Sequence, residues 1–353
     1  MILVTGAGGF VGRHVLAHLA GHGLPVRGMV RPGDDALRGR DDLVEADLTF
    51  PTSLGPALKG VEVVVHAAAI TADRREPRPG AYAAVNQGGT ENLVRRAAAA
   101  RVGRVVLISG LGTRAAPEGT YMATRWGMEE AVRGSGIPWV VLQPSIMFGA
   151  GAPFLATLAA LVRRAPAVPV INPGVRLQPL WIEDLARCVE GAIRDPSVTG
   201  RTLPLGGGEQ LTMRELTLAI CDALDRHPAL LPLPLGVADL QARVMTAILP
   251  RPPLTPASLE LLAFENVAGP GSVERPFGFR PDAVRAHLAE HGLELGWRAS
   301  PYDPGSPSPA VSPRPISPGP GCSAGTSIGS MTTRMRWTAA CSRRTGRRWG
   351  TPG

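Results

Sequence analysis

Along the first 150 positions, short aliphatic runs recur about every 30 residues, and stretches of helical periodicity lie between them. The strands this pattern predicts are Ile2 to Thr5, Pro25 to Val30, Leu43 to Ala46, Val61 to His66, Arg104 to Ser109 and Trp139 to Gln143. Helices are expected at Phe10 to Gly21, Ser53 to Leu58, Gly80 to Ala100 and Tyr121 to Ser135. Strand-helix-strand repetition requires parallel pairing through right-handed crossovers. The runs Val61-Glu62-Val63-Val64-Val65 and Val105-Val106-Leu107-Ile108 are almost continuously apolar, so both faces of these strands must be covered. The expected fold is α/β, a Rossmann-type doubly wound parallel sheet.

Beyond Gly149 the pattern changes to helices joined by proline-rich turns, as at Pro228 to Pro234 and Pro250 to Pro256. Three regions are expected. Residues 1–150 form a dinucleotide-binding domain, and residues 151–298 a small, mostly helical substrate lobe interleaved with the sheet. Residues 299–353 form a disordered tail. This last stretch holds nine Pro, eight Gly and nine Ser but neither Leu nor Phe, too little apolar surface to offset the entropy of ordering it. The loss of leucine after Trp297, in a chain with one lysine (Lys59) among dozens of arginines, also fits a shifted reading frame of GC-rich DNA.

Charge adds little to this picture. The formal net charge is +8, but seven arginines against Asp303 place +6 of it in residues 299–353, leaving +2 on the rest. A nucleic-acid-binding body is therefore not expected. No apolar run reaches the ~18 residues of a membrane span, and strand and glycine signals begin at Ile2 and Gly6, so a soluble, cytoplasmic protein is expected. The four cysteines, Cys188, Cys221, Cys322 and Cys341, contain no CxxC pair, so neither a disulfide framework nor a metal site is indicated.

The strongest motif is Thr5-Gly6-Ala7-Gly8-Gly9-Phe10-Val11-Gly12, between the first strand and first helix. Gly6 permits a tight turn, Gly9 lets backbone approach a pyrophosphate, and Gly12 lets helix pack on strand. Free N–H groups at the helix start would then hold the diphosphate.

Further motifs follow in order: Asp47-Leu48, His66-Ala67-Ala68-Ala69, Asn86, Tyr121-Met122-Ala123-Thr124-Arg125, Gln143-Pro144-Ser145, Phe148-Gly149 and Trp181-Ile182-Glu183-Asp184-Leu185. Together with the glycine spacing they resemble the short-chain dehydrogenase/reductase superfamily. The closest likeness is to its atypical extended branch, which contains the complex I 39 kDa subunit and NAD-dependent epimerase/dehydratase-like proteins. The resemblance runs to about residue 295 and includes Pro252-Pro253-Leu254-Thr255. It implies an NAD(P)(H)-dependent oxidoreductase or epimerase/dehydratase-like enzyme acting on a small carbonyl or hydroxyl compound. The alternative it implies is a dinucleotide-binding protein without turnover, structural or redox-sensing. The implied cofactor contacts are Thr5, Gly6, Gly9, Phe10, Val11, Gly12, Asp47, Leu48, Ala67, Ala68, Ala69, Pro144 and Ser145.

The second strand ends Val30-Arg31-Pro32, where NAD enzymes place an acid on the ribose 2′-OH. A guanidinium there suits a 2′-phosphate, so NADP is preferred, while Asp34 and Asp35 keep NAD open. The family's chemistry uses a tyrosine phenol, here Tyr121, as acid/base, with a cation one helical turn later. Arg125 stands where the family has lysine, and Gly110 where many relatives have serine, leaving Ser109 or Thr113 to polarise a carbonyl and Asn86 to order the site. The lobe's Leu, Pro and Ala content fits an apolar substrate, with a monomer or homodimer as the assembly and peripheral lipid contact left open.

Three other features are expected to be structural. His14, His18 and His22 recur every four residues, a spacing that could ligate zinc, but no acid or cysteine completes the set and Val11, Val15 and Leu19 supply the sheet-facing stripe, so they read as a solvated helix face. Residues 236–249 form an amphipathic helix that could wall an apolar substrate pocket or touch lipid, with ordinary core packing the expectation. Asp184 is expected to cap or orient a loop.

Overall fold

The computed structural model describes residues 1–34, 39–249 and 254–293. The expected tail, Asp35, Pro252 and Pro253 lie outside the described residues. Seven parallel strands form the central sheet in the order β3-β2-β1-β4-β5-β6-β11. They are β1 (Ile2–Thr5), β2 (Val26–Val30), β3 (Leu43–Glu45), β4 (Val63–His66), β5 (Arg104–Ile108), β6 (Trp139–Pro144) and β11 (Arg201–Leu205). The strand order reverses between β1 and β4, where such sheets leave a crevice for ligands.

Alternate residues along each strand feed opposite helical layers. Val4, Val65, Val106 and Val140 join Val15, Leu16 and Leu19 of α1 (Phe10–Gly21) and Leu185 and Val189 of α6 (Ile182–Arg194). On the other face Leu3, Val64, Val105 and Val141 join Leu93 and Ala97 of α3 (Gly89–Ala99) and Met128 and Val132 of α4 (Tyr121–Arg133). The helix expected at Ser53 to Leu58 is the short α2 (Leu54–Ala57) after a 3-10 turn. The one expected at Gly80 to Ala100 begins with a π-helical turn at Ala83–Gly88 before α3.

The second half of the chain corrects the expectation of helices and proline turns. It supplies β11 to the central sheet, and its Pro204 is tolerated because β11 is an edge strand. Ala229–Leu233, expected as a proline turn, is strand β13, paired in parallel with β8 (Ala167–Ile171). Each has a free edge, so Pro169 and Pro232 interrupt no further ladder. Four two-residue strands complete this half: β7 (Met147–Phe148), β9 (Arg176–Leu177), β10 (Leu180–Trp181) and β12 (Leu211–Thr212). A third apolar cluster unites α5 (Pro153–Arg164), α7 (Met213–Ala223) and α11 (Val284–His291), following α9 (Pro256–Leu262) and α10 (Glu274–Phe277).

Helix α8 (Leu235–Ile248) reverses the expected core packing. Its small residues Ala238 and Ala242 are buried against Leu259 of α9, where close approach demands small side chains, and Val237, Leu240, Val244 and Ile248 face outward. Among the described residues, no helix is long and apolar enough to cross a membrane.

Candidate active site

Between β1 and α1 the chain turns at Gly6, whose φ of +69° is left-handed. A Cβ there would also stand 2.7 Å from the Ala68 Cα in the loop after β4. At Gly12 a Cβ would lie 2.1 Å from the Gly6 carbonyl oxygen, so only glycine lets α1 sit this close to the loop. Gly9 has ordinary extended backbone and more space, 3.1 Å to the same oxygen. As N-cap it provides no side-chain cap, so the first N–H groups of α1, starting at Phe10 and Val11, are left to an outside acceptor.

A buried chain of hydrogen bonds fixes the loop after β4. The Thr90 hydroxyl donates to the Asn86 carbonyl (2.5 Å) and so accepts from His66 Nε2 (2.9 Å). His66 Nδ1 then accepts the Thr5 hydroxyl proton (2.7 Å), and Thr5 Oγ1 accepts the Ala68 N–H (3.3 Å). Burial pushes the His66 imidazole down to about 4, which keeps it neutral. The Asn86 side chain pairs with both backbone groups of Ile70 (2.8 and 3.1 Å) and reaches Thr124 Oγ1 on α4 (3.4 Å). Loop 67–70 is thus tied to β1, α3 and α4.

Tyr121 is the first residue of α4, after Thr120, whose hydroxyl caps Ala123 N–H at 3.2 Å. Its ring packs edge-on against Tyr82 at 5.2 Å and beside Ala72 and Ala257. Burial raises the Tyr121 phenol above its usual value, and the Arg125 charge and Ala72 backbone pull it back. Tyr82, by contrast, gives its hydroxyl to the Arg74 carbonyl at 2.5 Å.

Arg125 is only 7 % exposed, and its Nη2 has no hydrogen-bond partner among the described residues. Its guanidinium occupies the space beside Gly110, where an added Cβ would stand 1.9 Å from Nη2. Burial lowers the guanidinium from its ordinary value, while Tyr121 and Glu129 raise it. Glu129 is fully buried and is not among the residues the sequence motifs single out, although it continues the four-residue spacing of Tyr121, Arg125 and Arg133. It accepts from Ser109 Oγ (2.5 Å), Gln143 Nε2 (2.8 Å) and Arg133 Nη2 (2.5 Å). Ser109 therefore spends its proton on Glu129, and Thr113 donates its own to the Gly110 carbonyl (2.7 Å).

Other expected contacts are braced by protein. Ser145 Oγ bonds Asn266 Oδ1 (2.6 Å), and the same oxygen accepts the Ile146 N–H, locking the end of β6 after Pro144. Asp47 Oδ1 accepts Thr49 N–H and hydroxyl (2.8 and 2.7 Å), and Leu48 is buried beside Gly89. Ala67 and Ala68 are half-buried, and Ala69 and Arg31 are exposed.

The histidines of α1 do not form a solvated face. His14 bonds Glu183 (2.6 Å), and His18 and His22 both bond Glu190 (2.9 and 2.5 Å). The acids come from α6, far away in sequence. Asp184 behaves as expected, accepting the Asp282 N–H at 2.7 Å.

Together the sheet order, glycine loop and buried tyrosine–arginine pair define a dinucleotide-binding α/β protein of the Rossmann class. Family models agree: residues 6–151 match "NAD(P)H-binding" and residues 112–256 match "RmlD substrate binding domain". Ceramide reductase of Caulobacter vibrioides is 29% identical over 237 residues, 66% of this chain and 74% of that one. A (4-alkanoyl-5-oxo-2,5-dihydrofuran-3-yl)methyl phosphate reductase of Streptomyces griseus is 31% identical over 236 residues, 64% and 74% of the two chains. Subunit 9 of the NADH dehydrogenase [ubiquinone] 1 alpha subcomplex of Arabidopsis thaliana is 25% identical over 247 residues, 68% of this chain and 61% of the subunit. Among solved structures, UDP-glucose 4-epimerase of Thermus thermophilus in complex with NAD superposes with a TM-score of 0.57. It is 22% identical, and the match covers 78% of this chain and 97% of the epimerase.

The chain belongs to the extended branch of the short-chain dehydrogenase/reductase superfamily. Membership carries NAD(P) binding and a general oxidoreductase or epimerase role.

Proposed function

We propose that this protein is an NADP(H)-dependent reductase of an apolar carbonyl compound, with Tyr121 as the proton donor and Arg125 as its electrostatic support. The observation that carries this is the Arg125 guanidinium, buried one turn after Tyr121 with Nη2 unpartnered. An unmet buried donor costs about 1–3 kcal/mol, more when charged. A substrate oxygen would relieve that cost.

The residues fit a dinucleotide. Gly6 and Gly12 close the turn where any Cβ would collide, and α1 begins with no side-chain cap, which suits a diphosphate. Arg31 at the exposed end of β2 suits the 2′-phosphate of NADP(H) and leaves NAD(H) the weaker ligand. When bound, the nicotinamide supplies hydride. Tyr121, kept protonated by burial, gives its hydroxyl proton to the carbonyl oxygen, and Arg125 steadies the phenolate left behind. With the protons of Ser109 and Thr113 committed elsewhere, polarisation of the carbonyl falls to Arg125 Nη2. Ser109 and Asn86 act as positioning residues, through Glu129 and through loop 67–70.

Residues 1–150 hold the cofactor in this reading, and the lobe from 151 to 298 faces the substrate. The ceramide reductase relative and the outward apolar face of α8 support an apolar substrate met near lipid, by a cytoplasmic monomer or homodimer. The test is calorimetry with NADPH and NADH, followed by NADPH consumption with ketones of increasing chain length. Tighter NADPH binding and turnover that grows with chain length support the proposal. Tight binding with no turnover of any carbonyl favours the non-catalytic reading, to which the commitment of Ser109 to Glu129 lends weight.

A further inference from the structure

We propose that His18 and His22 of α1, with Glu190 of α6, form a site for one divalent transition-metal ion, zinc foremost. It lies on the outer helices, on residues the reductase reading does not use. His18 Nε2, His22 Nδ1 and a Glu190 carboxylate oxygen lie within 4.8 Å of one another. Two imidazoles four residues apart on one helix, completed by a carboxylate from its neighbour, give the N/O donor set zinc takes. Both imidazoles now bond Oε2, at 2.9 and 2.5 Å. Ligation at about 2.0–2.2 Å per bond separates the donor atoms by a little over 3 Å, so the two N···O pairs open by less than an ångström while the imidazole nitrogens stay within the 4.8 Å they already span.

Three features prepare it. Arg194 Nε holds Glu190 Oε1 at 2.8 Å, which orients the carboxylate and leaves Oε2 for the ion. His18 and Glu190 are anchored, with side chains 10% and 16% exposed, while His22 is 52% exposed and can swing as the ion enters. The nitrogens that would ligate, Nε2 of His18 and Nδ1 of His22, already converge on Oε2, so both rings face the ion's position. Each of these nitrogens now gives its proton to Oε2, so ligation moves that proton to the other ring nitrogen or releases it. Metal affinity is therefore expected to fall as pH is lowered. The ion would staple α1 to α6 and leave open positions for water.

Untagged full-length protein, freed of metal by a chelator, is titrated with Zn²⁺ by calorimetry and with Co²⁺ followed by visible absorption. One equivalent is expected, with a rise in melting temperature. His22→Gln and Glu190→Gln should each weaken binding at least roughly tenfold, since even an outer-shell partner is worth that much. Absence of binding, or equal binding by wild type and both variants, overturns the proposal. NADPH binding by the same variants is expected to be unchanged, so this result stands apart from the reductase reading.

Discussion

Gly110 and Arg125 share one space: a Cβ on Gly110 would stand 1.9 Å from Arg125 Nη2 and 2.7 Å from Cζ. The two departures from the family pattern, arginine for lysine and glycine for serine, are therefore one structural change. The longer, planar guanidinium fits only because residue 110 has no side chain. Gly110→Ser alone should cost about 1–3 kcal/mol by overpacking. Arg125→Lys alone should leave a gap and lower activity, and the double variant should recover stability relative to Gly110→Ser. Denaturant melts of all four proteins give the coupling, expected within about 0.5–3 kcal/mol. Additive effects would show that the two positions are independent.

Gly9 and Gly12 serve different ends. Gly9→Asp places a carboxylate at a helix N-cap, which α1 accepts or welcomes, but where the diphosphate must lie. Melting temperature should hold or rise while NADPH affinity is lost. Gly12→Ala forces a Cβ to 2.1 Å from the Gly6 carbonyl oxygen and should lower the melting temperature itself. Thermal melts paired with calorimetry separate the two, and equal NADPH affinity in Gly9→Asp and wild type would remove the loop from the site.

Arg31→Asp should shift preference from NADPH toward NADH, by removing the guanidinium and offering a carboxylate to the ribose hydroxyls. Competition binding with both cofactors measures it. A wild type that already prefers NADH, with no change in the variant, would contradict the role given to Arg31.

His66 and Asp184 make stability respond to pH in opposite senses. His66 is lowered from 6.5 to about 4, so below pH 6.5 the unfolded chain takes up a proton the folded one refuses, and stability falls with pH. Asp184 is raised from 3.8 to about 6, chiefly by burial, so between pH 4 and 6 the folded state keeps a proton the unfolded one releases. Its contribution is lost as pH rises through that window. Each full shift is on the order of 3 kcal/mol, and the two nearly cancel. Asp184→Asn, which retains an acceptor for the Asp282 N–H, should make stability rise more steeply with pH between 4 and 6 than it does in wild type. Parallel profiles for variant and wild type would refute it.

Much of the Rossmann half was legible in the sequence because its signals are local. Strands buried on both faces read as aliphatic runs, and the limits of α1 follow from the glycines at either end. Tyr121 and Arg125 were visible as a helical pair. What escaped depends on partners remote in the chain. Pro204 and Pro232 disguised two strands, and only sheet order shows that each has an edge where a missing N–H does no harm. The histidines of α1 looked solvated because Glu183 and Glu190 come from a helix some 170 residues away. Glu129 continued a spacing already in view. Its role emerged only when Ser109, just past the end of β5, and Gln143, on β6, met at its carboxylate.

In the proposed reaction Tyr121 donates a proton to a carbonyl oxygen with Arg125 as its support. The most direct measurement is the steady-state rate of NADPH oxidation with a long-chain ketone, by wild type and Tyr121→Phe, with NADPH affinity measured for both. The phenol-to-phenyl change removes one ionisable oxygen and little volume, so turnover should fall by roughly 10²–10⁴-fold while NADPH affinity is unchanged. Equal turnover in the two proteins would contradict the account.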